Sequence, residues 1–191
     1  MIARVLLSFA AIALVAAKPG PQAPAVPVQS SIAPPEVAND PQNRLTLELS
    51  NRGTVVILLR PDVAPLHVER MRQLAKNGFY DGLKFHRVIP GFMAQSGDPK
   101  GTGEGGSTLP NVKAEFSSLP FMRGTLGAAR ADGDVDSANS QFFIAYGPNA
   151  MLDKHYTIYG RVISGMDAVD KIAPGEPPEN PTKIVRMSLG G

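Results

Sequence analysis

The chain has 191 residues, with 19 basic and 17 acidic side chains and no cysteine. A formal charge of +2 gives no electrostatic case for nucleic acid, and a calculated isoelectric point of about 9.0 reflects only that small imbalance. The absence of cysteine excludes disulfides, a thiol nucleophile and lipid attachment at a lipobox cysteine.

Met1 to Arg4 precede an apolar run from Val5 to Ala17 that ends in Val15-Ala16-Ala17 before Lys18. This is the pattern of a secretory signal peptide. That run of 13 residues is too short for a comfortable bilayer span, so residues 1–17 are expected to be cleaved, leaving no stable membrane insertion. From Lys18 to Asn43 lie seven of the chain's 18 prolines among Ala, Gln, Val and Ser, the composition of a disordered, extended tether with polyproline II character. Residues 44–191 then suit one domain with one core, burying about 68–70% of its unfolded surface.

Within that domain Leu45 to Leu49 and Val55 to Leu59 open a strand meander, and Lys183 to Leu189 closes it. Two helices are predicted. From Pro65 to Lys76, Val68, Met71, Leu74 and Ala75 recur at helical spacing, with Pro65 at a first-turn position and Asn77-Gly78 as the stop. The second, shorter helix is Met166 to Ile172. Mostly antiparallel strands with two separated helices predict a mainly β fold, a closed barrel capped by helices. There is no internal repeat.

The stretch Phe85 to Asp98, FHRVIPGFMAQSGD, sets Arg87 inside an apolar, aromatic run. A buried guanidinium needs a partner or a task. Strand alternation would point Arg87 the same way as Phe85 and Ile89. In the structural reading its stem packs on the core while its head reaches water or a carboxylate such as Glu115. In the functional reading the downstream residues decide: Pro90-Gly91 turns the chain, and Phe92, Met93 and Gln95 offer two apolar walls and an amide, the make-up of a small ligand site. Phe142 and Phe143 are adjacent in SQFFIAY, so one should fill the core and the other is free to line a groove, which Leu152 and Tyr156 could close.

Other motifs lead nowhere chemical. Gly101 to Gly106, GTGEGG, lacks the lysine and hydroxyl of a P-loop and reads as a flexible surface loop. Asp132, Asp134 and Asp136 begin like a calcium loop, but Ser137 stands where a glycine is needed and Phe143 where the closing glutamate would fall, so they read as a solvated acidic loop. His67, His86 and His155 are too scattered for a zinc site, and no metal or cofactor is expected.

The ordered segments FHRVIPGFMAQSGD, SQFFIAY and LDKHYTIYGRV together resemble the cyclophilin family of peptidyl-prolyl isomerases over residues 45–189. The resemblance implies a closed eight-stranded antiparallel barrel capped by two α-helices, with a groove on its outside. It also implies catalytic roles for Arg87 and Gln95, and substrate-binding roles for Phe92, Met93, Ala129, Arg130, Gln141, Phe143, Met151, Leu152 and Tyr156. Arg130 stands where the best-known eukaryotic members have asparagine, and Tyr156 where they have histidine. Met151 replaces a tryptophan associated with tight cyclosporin binding, which implies weak inhibition by that drug. The expected partners are proline-containing polypeptides, handled by a monomer in a bacterial periplasm. The competing reading is a proline-peptide binding module or chaperone with little catalysis, against which the pairing of Arg87 with Gln95 argues.

Overall fold

The computed structural model describes residues 29–190. The expected signal peptide and the tether as far as residue 28 lie outside the described residues. In chain order the elements are α1 (Pro35–Ala38), a 3-10 turn (Pro41–Asn43), β1 (Arg44–Leu49), β2 (Thr54–Leu59), α2 (Pro65–Lys76), β3 (Arg87–Ile89), β4 (Met93–Ser96), β5 (Thr125–Ala128), β6 (Phe142–Ala145), β7 (Ile158–Ser164), α3 (Met166–Val169) and β8 (Ile184–Leu189).

The strands form one antiparallel sheet in the order β3-β4-β6-β5-β7-β2-β1-β8, curled about the main core as a half-barrel. Alternation sets what each strand buries. Leu45, Leu47 and Leu49 of β1 and Val55, Ile57 and Leu59 of β2 all point inward, and Leu45 pairs with Ile57 and Leu47 with Val55. On α2, Val68, Met71, Leu74 and Ala75 are buried as their spacing predicts. Ala64 provides no side-chain cap for this helix. Instead the Glu115 carboxylate accepts from Leu66 N–H and His67 N–H, both at 3.0 Å, and lies 2.6 Å from His67 Nδ1.

Strand pairing does not complete the ring expected from the sequence. The two ends of the ladder are β3 and β8, and backbone bonds from the segments leading into them span the gap, Gly82 N–H to Ile184 O at 2.7 Å and Phe85 N–H to Thr182 O at 2.9 Å. Proline explains the interruption, because Pro174, Pro177, Pro178 and Pro181 stand in the segment before β8 and have no N–H to give a ladder. The second predicted helix is shorter than its spacing suggested. After Val169 it continues as turns, with Lys171 and Ile172 bonded to residues three back.

Residues 29–43 also differ from an extended tether. They carry α1 and the 3-10 turn, they bury Val37 and Asn43, and the Asn43 amide donates to Val37 O at 2.9 Å. Buried Arg60 makes a forked pair with Asp62 at 2.8 and 2.7 Å and also donates to Ser30 O at 2.9 Å. Arg72 of α2 donates to Gln42 O at 3.2 Å and to the Asn43 side chain. A chain beginning at Arg44 is therefore expected to be less stable than one beginning at Gln29 by about 2 kcal/mol, the scale of one uncovered valine and a few lost hydrogen bonds. Urea denaturation of the two chains measures the difference, and a segment that merely trails from the domain would leave it at zero.

Candidate active site

Strands β4, β5 and β6 floor the site because side chains on both of their faces are buried, and β3 adds Arg87 at the edge. In β6, Phe142 and Ile144 belong to the main core, while Phe143 and Ala145 face a second apolar cluster on the opposite side of the sheet. In β4, Ala94 packs into the main core and Met93 into the second cluster. Register then assembles a row. Arg87 of β3 pairs with Gln95 of β4, Gln95 with Phe143 of β6, and Phe143 with Gly127 of β5. Ile89, Met93 and Ala145 form the next row.

These rows floor a cavity of about 280 Å³ lined by Arg87, Phe92, Met93, Gln95, Ala129, Arg130, Asp132, Phe143, Leu152 and Tyr156. Phe143 is its aromatic wall, stacked on Phe121 at 5.7 Å and meeting Tyr156 edge-on at 5.8 Å. Gly127 makes room for it. A Cβ at Gly127 would lie 2.4 Å from the Phe143 ring and 2.9 Å from Phe121, so the strand must carry glycine there. Tyr156 also supports the Arg130 guanidinium, whose central carbon lies 4.5 Å from the ring centroid and which donates to Ala131 O at 3.0 Å.

The polar side of the site is a relay that begins at a buried carboxylate. Asp98 is 1% exposed and accepts from Lys100 N–H, Thr102 N–H and Gly103 N–H at 2.7–2.8 Å, and from the Thr102 hydroxyl at 3.1 Å. Burial pushes its pKa up, but the backbone donors outweigh it and hold the group well below the ordinary aspartate value. The loop thus pinned presents Gly103 O and Gly105 O to the Gln141 amide, each at 2.8 Å. Gln141 in turn accepts from Gln95 Nε2 at 2.8 Å. The loop over Gly101–Gly106, read from sequence as a flexible surface loop, is therefore wound about a buried anion and fixes a glutamine beside the cavity. A larger groove of about 770 Å³ adjoins it, lined by this loop, Gln141, Asn139, Arg130 and Asp132.

The structure brings together Arg87, Gln95, Phe92, Met93, Ala129, Arg130, Phe143, Leu152 and Tyr156 at one cavity, and places Gln141 behind Gln95. Met151 stands apart: it is 86% exposed and does not line the cavity, because the turn that buries Leu152 points its neighbour outward. Phe85 does not share a face with Arg87. Its segment pairs with the chain before β8 and regular strand begins only at Arg87, so the Phe85 ring enters the main core, 6.3 Å from that of Phe142. Nor is Arg87 buried, since its side chain is 41% exposed, or bonded to Glu115, which serves α2. Its partner is Glu176, which accepts from Arg87 Nε–H at 2.7 Å.

Glu176, Phe121, Gly127 and Asp98 have no site role in the sequence reading, and Asp132, read there as part of a solvated acidic loop, lines the cavity. A glycine inside a strand pattern could have flagged Gly127, and an aspartate before a glycine-rich turn could have flagged Asp98. Nothing local marks Glu176. Among the scattered histidines, His67 pairs with Glu115, His86 is buried against the loop with its pKa lowered chiefly by burial, and His155 Nδ1 lies 2.8 Å from Asp153 O.

Comparison with known proteins places this geometry in a family. Residues 44–189 match the family described as cyclophilin type peptidyl-prolyl cis-trans isomerase. The chain is similar to a probable peptidyl-prolyl cis-trans isomerase of Brucella suis, 47% identical over 168 residues that cover 80% of this chain and 85% of that one. It is also similar to peptidyl-prolyl cis-trans isomerase B of Bacillus subtilis, 40% identical over 128 residues covering 67% and 89% of the two chains. Among solved structures, a cyclophilin from Hirschia baltica superposes with a TM-score of 0.72 at 30% identity, covering 78% of this chain and 74% of that one. A Cryptosporidium parvum cyclophilin type isomerase determined in the presence of the dipeptide Ala-Pro also reaches 0.72, at 26% identity and covering 78% and 99%.

Two substitutions probe the site's scaffolding. Gly127→Ala is expected to displace the Phe143 ring, costing about 1–3 kcal/mol of stability in a denaturant titration. It should weaken binding of a proline peptide by titration calorimetry, whereas an unchanged affinity would mean that the ring is free to move aside. Asp98→Asn is expected to cost about 3 kcal/mol at neutral pH, as several charge-assisted bonds are lost. Because the folded pKa of Asp98 is lowered, its contribution is complete above the unfolded value and disappears as the pH falls below about 4. The variant's stability curve should thus converge with that of the wild type in acid.

Proposed function

The chain belongs to the cyclophilin-type peptidyl-prolyl cis-trans isomerase family, and on that premise we propose that it accelerates X-Pro rotation in exported polypeptides through Arg87. Rotation about a peptide C–N bond must cross about 18–20 kcal/mol because twisting destroys amide resonance. No covalent bond needs to form or break. In the twisted state the prolyl nitrogen regains its lone pair, and a guanidinium N–H aimed at it stabilises that state more than the planar one.

The observation that carries this reading is the cavity itself, with the Arg87 guanidinium and the Gln95 amide set against apolar walls. Phe92, Met93, Phe143 and Leu152 provide an apolar wall against which a proline ring can pack. Arg87 stands at its edge. Gln95 gives one N–H to Gln141 and keeps its remaining N–H for the swinging carbonyl. Ala129 and Arg130 offer main chain for the substrate backbone. A wall that excludes water strengthens any such hydrogen bond.

The wider setting rests on the sequence of the first 17 residues. A signal-like pattern in residues 1–17, an absence of cysteine and the length of residues 44–191 support a monomer that assists folding of exported proteins in a bacterial periplasm. N-terminal sequencing of periplasmic material tests the address, and a mature chain that keeps Met1 would overturn it.

Arg87→Ala is expected to lower the isomerisation rate of a proline tetrapeptide, in a protease-coupled assay, by about a hundredfold. At about 1.36 kcal/mol per tenfold, that loss is roughly 2.7 kcal/mol of transition-state stabilisation. Peptide affinity should change far less, because the aromatic wall is untouched. A folded variant that turns over at the wild-type rate would remove Arg87 from catalysis and leave a proline-binding module.

A further inference from the structure

The ion pair between Arg87 and Glu176 is built by the backbone. Val88 and Gly175 exchange both main-chain hydrogen bonds, at 2.8 and 2.9 Å, and this bridge delivers the next residue, Glu176, to the side of Arg87. Glu176 Oε2 then accepts from Arg87 Nε–H at 2.7 Å. The two side chains are 41% and 50% exposed, and a pair so open to solvent contributes little to stability. Its consequence lies in orientation. An arginine side chain carries about 2 kcal/mol of rotamer entropy, and a bond to Nε fixes the plane of the guanidinium while leaving every Nη hydrogen free. Among the described residues no other group holds Arg87 by a hydrogen bond: the Gln95 amide, across from it on the sheet, bonds Gln141 instead.

We propose that Glu176 is a positioning residue that locks the Arg87 guanidinium with its Nη hydrogens presented to the cavity, a role that rests on the isomerase reading above. The carboxylate has two opposing effects on such a site. It removes the cost of orienting the arginine at the moment of reaction, and it offsets part of the positive charge that the prolyl nitrogen would feel. The geometry favours the first, since the carboxylate sits on the Nε side and leaves the Nη side open.

The test compares full-length wild type with Glu176→Ala and Glu176→Gln, and repeats Glu176→Ala in an Arg87→Ala background. Kinetics use a neutral proline tetrapeptide, and hydrogen exchange of the Arg87 Nε–H is followed by NMR. Glu176→Ala is expected to lower kcat about fivefold, close to 1 kcal/mol, with KM within twofold, and to abolish protection of the Nε–H. Glu176→Gln, whose amide oxygen still accepts, should recover most of the rate. In the Arg87→Ala background the Glu176→Ala change should have no further effect. An unchanged or faster Glu176→Ala enzyme overturns the proposal, and so does an equal loss in the Arg87→Ala background, which would mark a purely structural role. Should Glu176→Ala fail to fold by circular dichroism, Glu176→Gln carries the test: protection retained supports the proposal and protection lost overturns it. If the wild-type protein does not isomerise the peptide, the isomerase reading fails, while Nε–H protection still decides whether Glu176 holds Arg87.

Discussion

The site depends on the register of four antiparallel strands. Pairing of Arg87 with Gln95, Gln95 with Phe143 and Phe143 with Gly127 places side chains more than fifty residues apart in sequence on one row of one face. A slip of one residue at β6 would turn Phe143 into the main core and Phe142 out to the groove. That exchange is opposed by the packing of Phe142, which meets Tyr80 at 5.7 Å and Phe85 at 6.3 Å inside the half-barrel. The core thereby sets the geometry of the groove, although no groove side chain belongs to it.

Polar order on the same face comes from outside the sheet. A loop rich in glycine cannot hold a side chain in place unless something fixes its backbone, and here the anion of Asp98 does so through three N–H groups and one hydroxyl. Gly105 must lack a side chain, since a Cβ there would lie 2.0 Å from the Asp98 carboxylate. The carbonyls left pointing outward then fix Gln141, and Gln141 fixes Gln95. Arg87 is fixed by a separate route, the bridge that brings in Glu176. Two independent supports for neighbouring polar groups are consistent with a site whose geometry matters more than its area.

Much of the fold was legible because local chemistry agrees with it. The α2 boundaries follow from Pro65 at the start, Asn77-Gly78 at the end and the buried stripe between them. The β1 and β2 pair follows from the alternating leucines of β1 and the continuous aliphatic run of β2. The failures occurred where a residue's surroundings come from elsewhere in the chain. Residues 29–43 have the composition of a tether, yet Arg60 and Arg72 give them backbone and side-chain partners that composition does not reveal. Met151 and Leu152 are adjacent apolar residues of one turn, and only packing decides that one closes the cavity while the other faces solvent.

The sequence by itself determined the strand and helix types, the segregation of Phe142 from Phe143 and the residue types of the cavity, because periodicity and motif order are local properties. Only the tertiary structure decided the partner of Arg87, the purpose of Asp98 and the need for glycine at 127. Arg87 with Glu176 and Gly127 with Phe143 are contacts between separate segments, and the Asp98 turn, local in itself, acquires its purpose only through Gln141. The Glu176 carboxylate reaches Arg87 only because Gly175 happens to pair with Val88, and no pattern within either segment encodes that meeting.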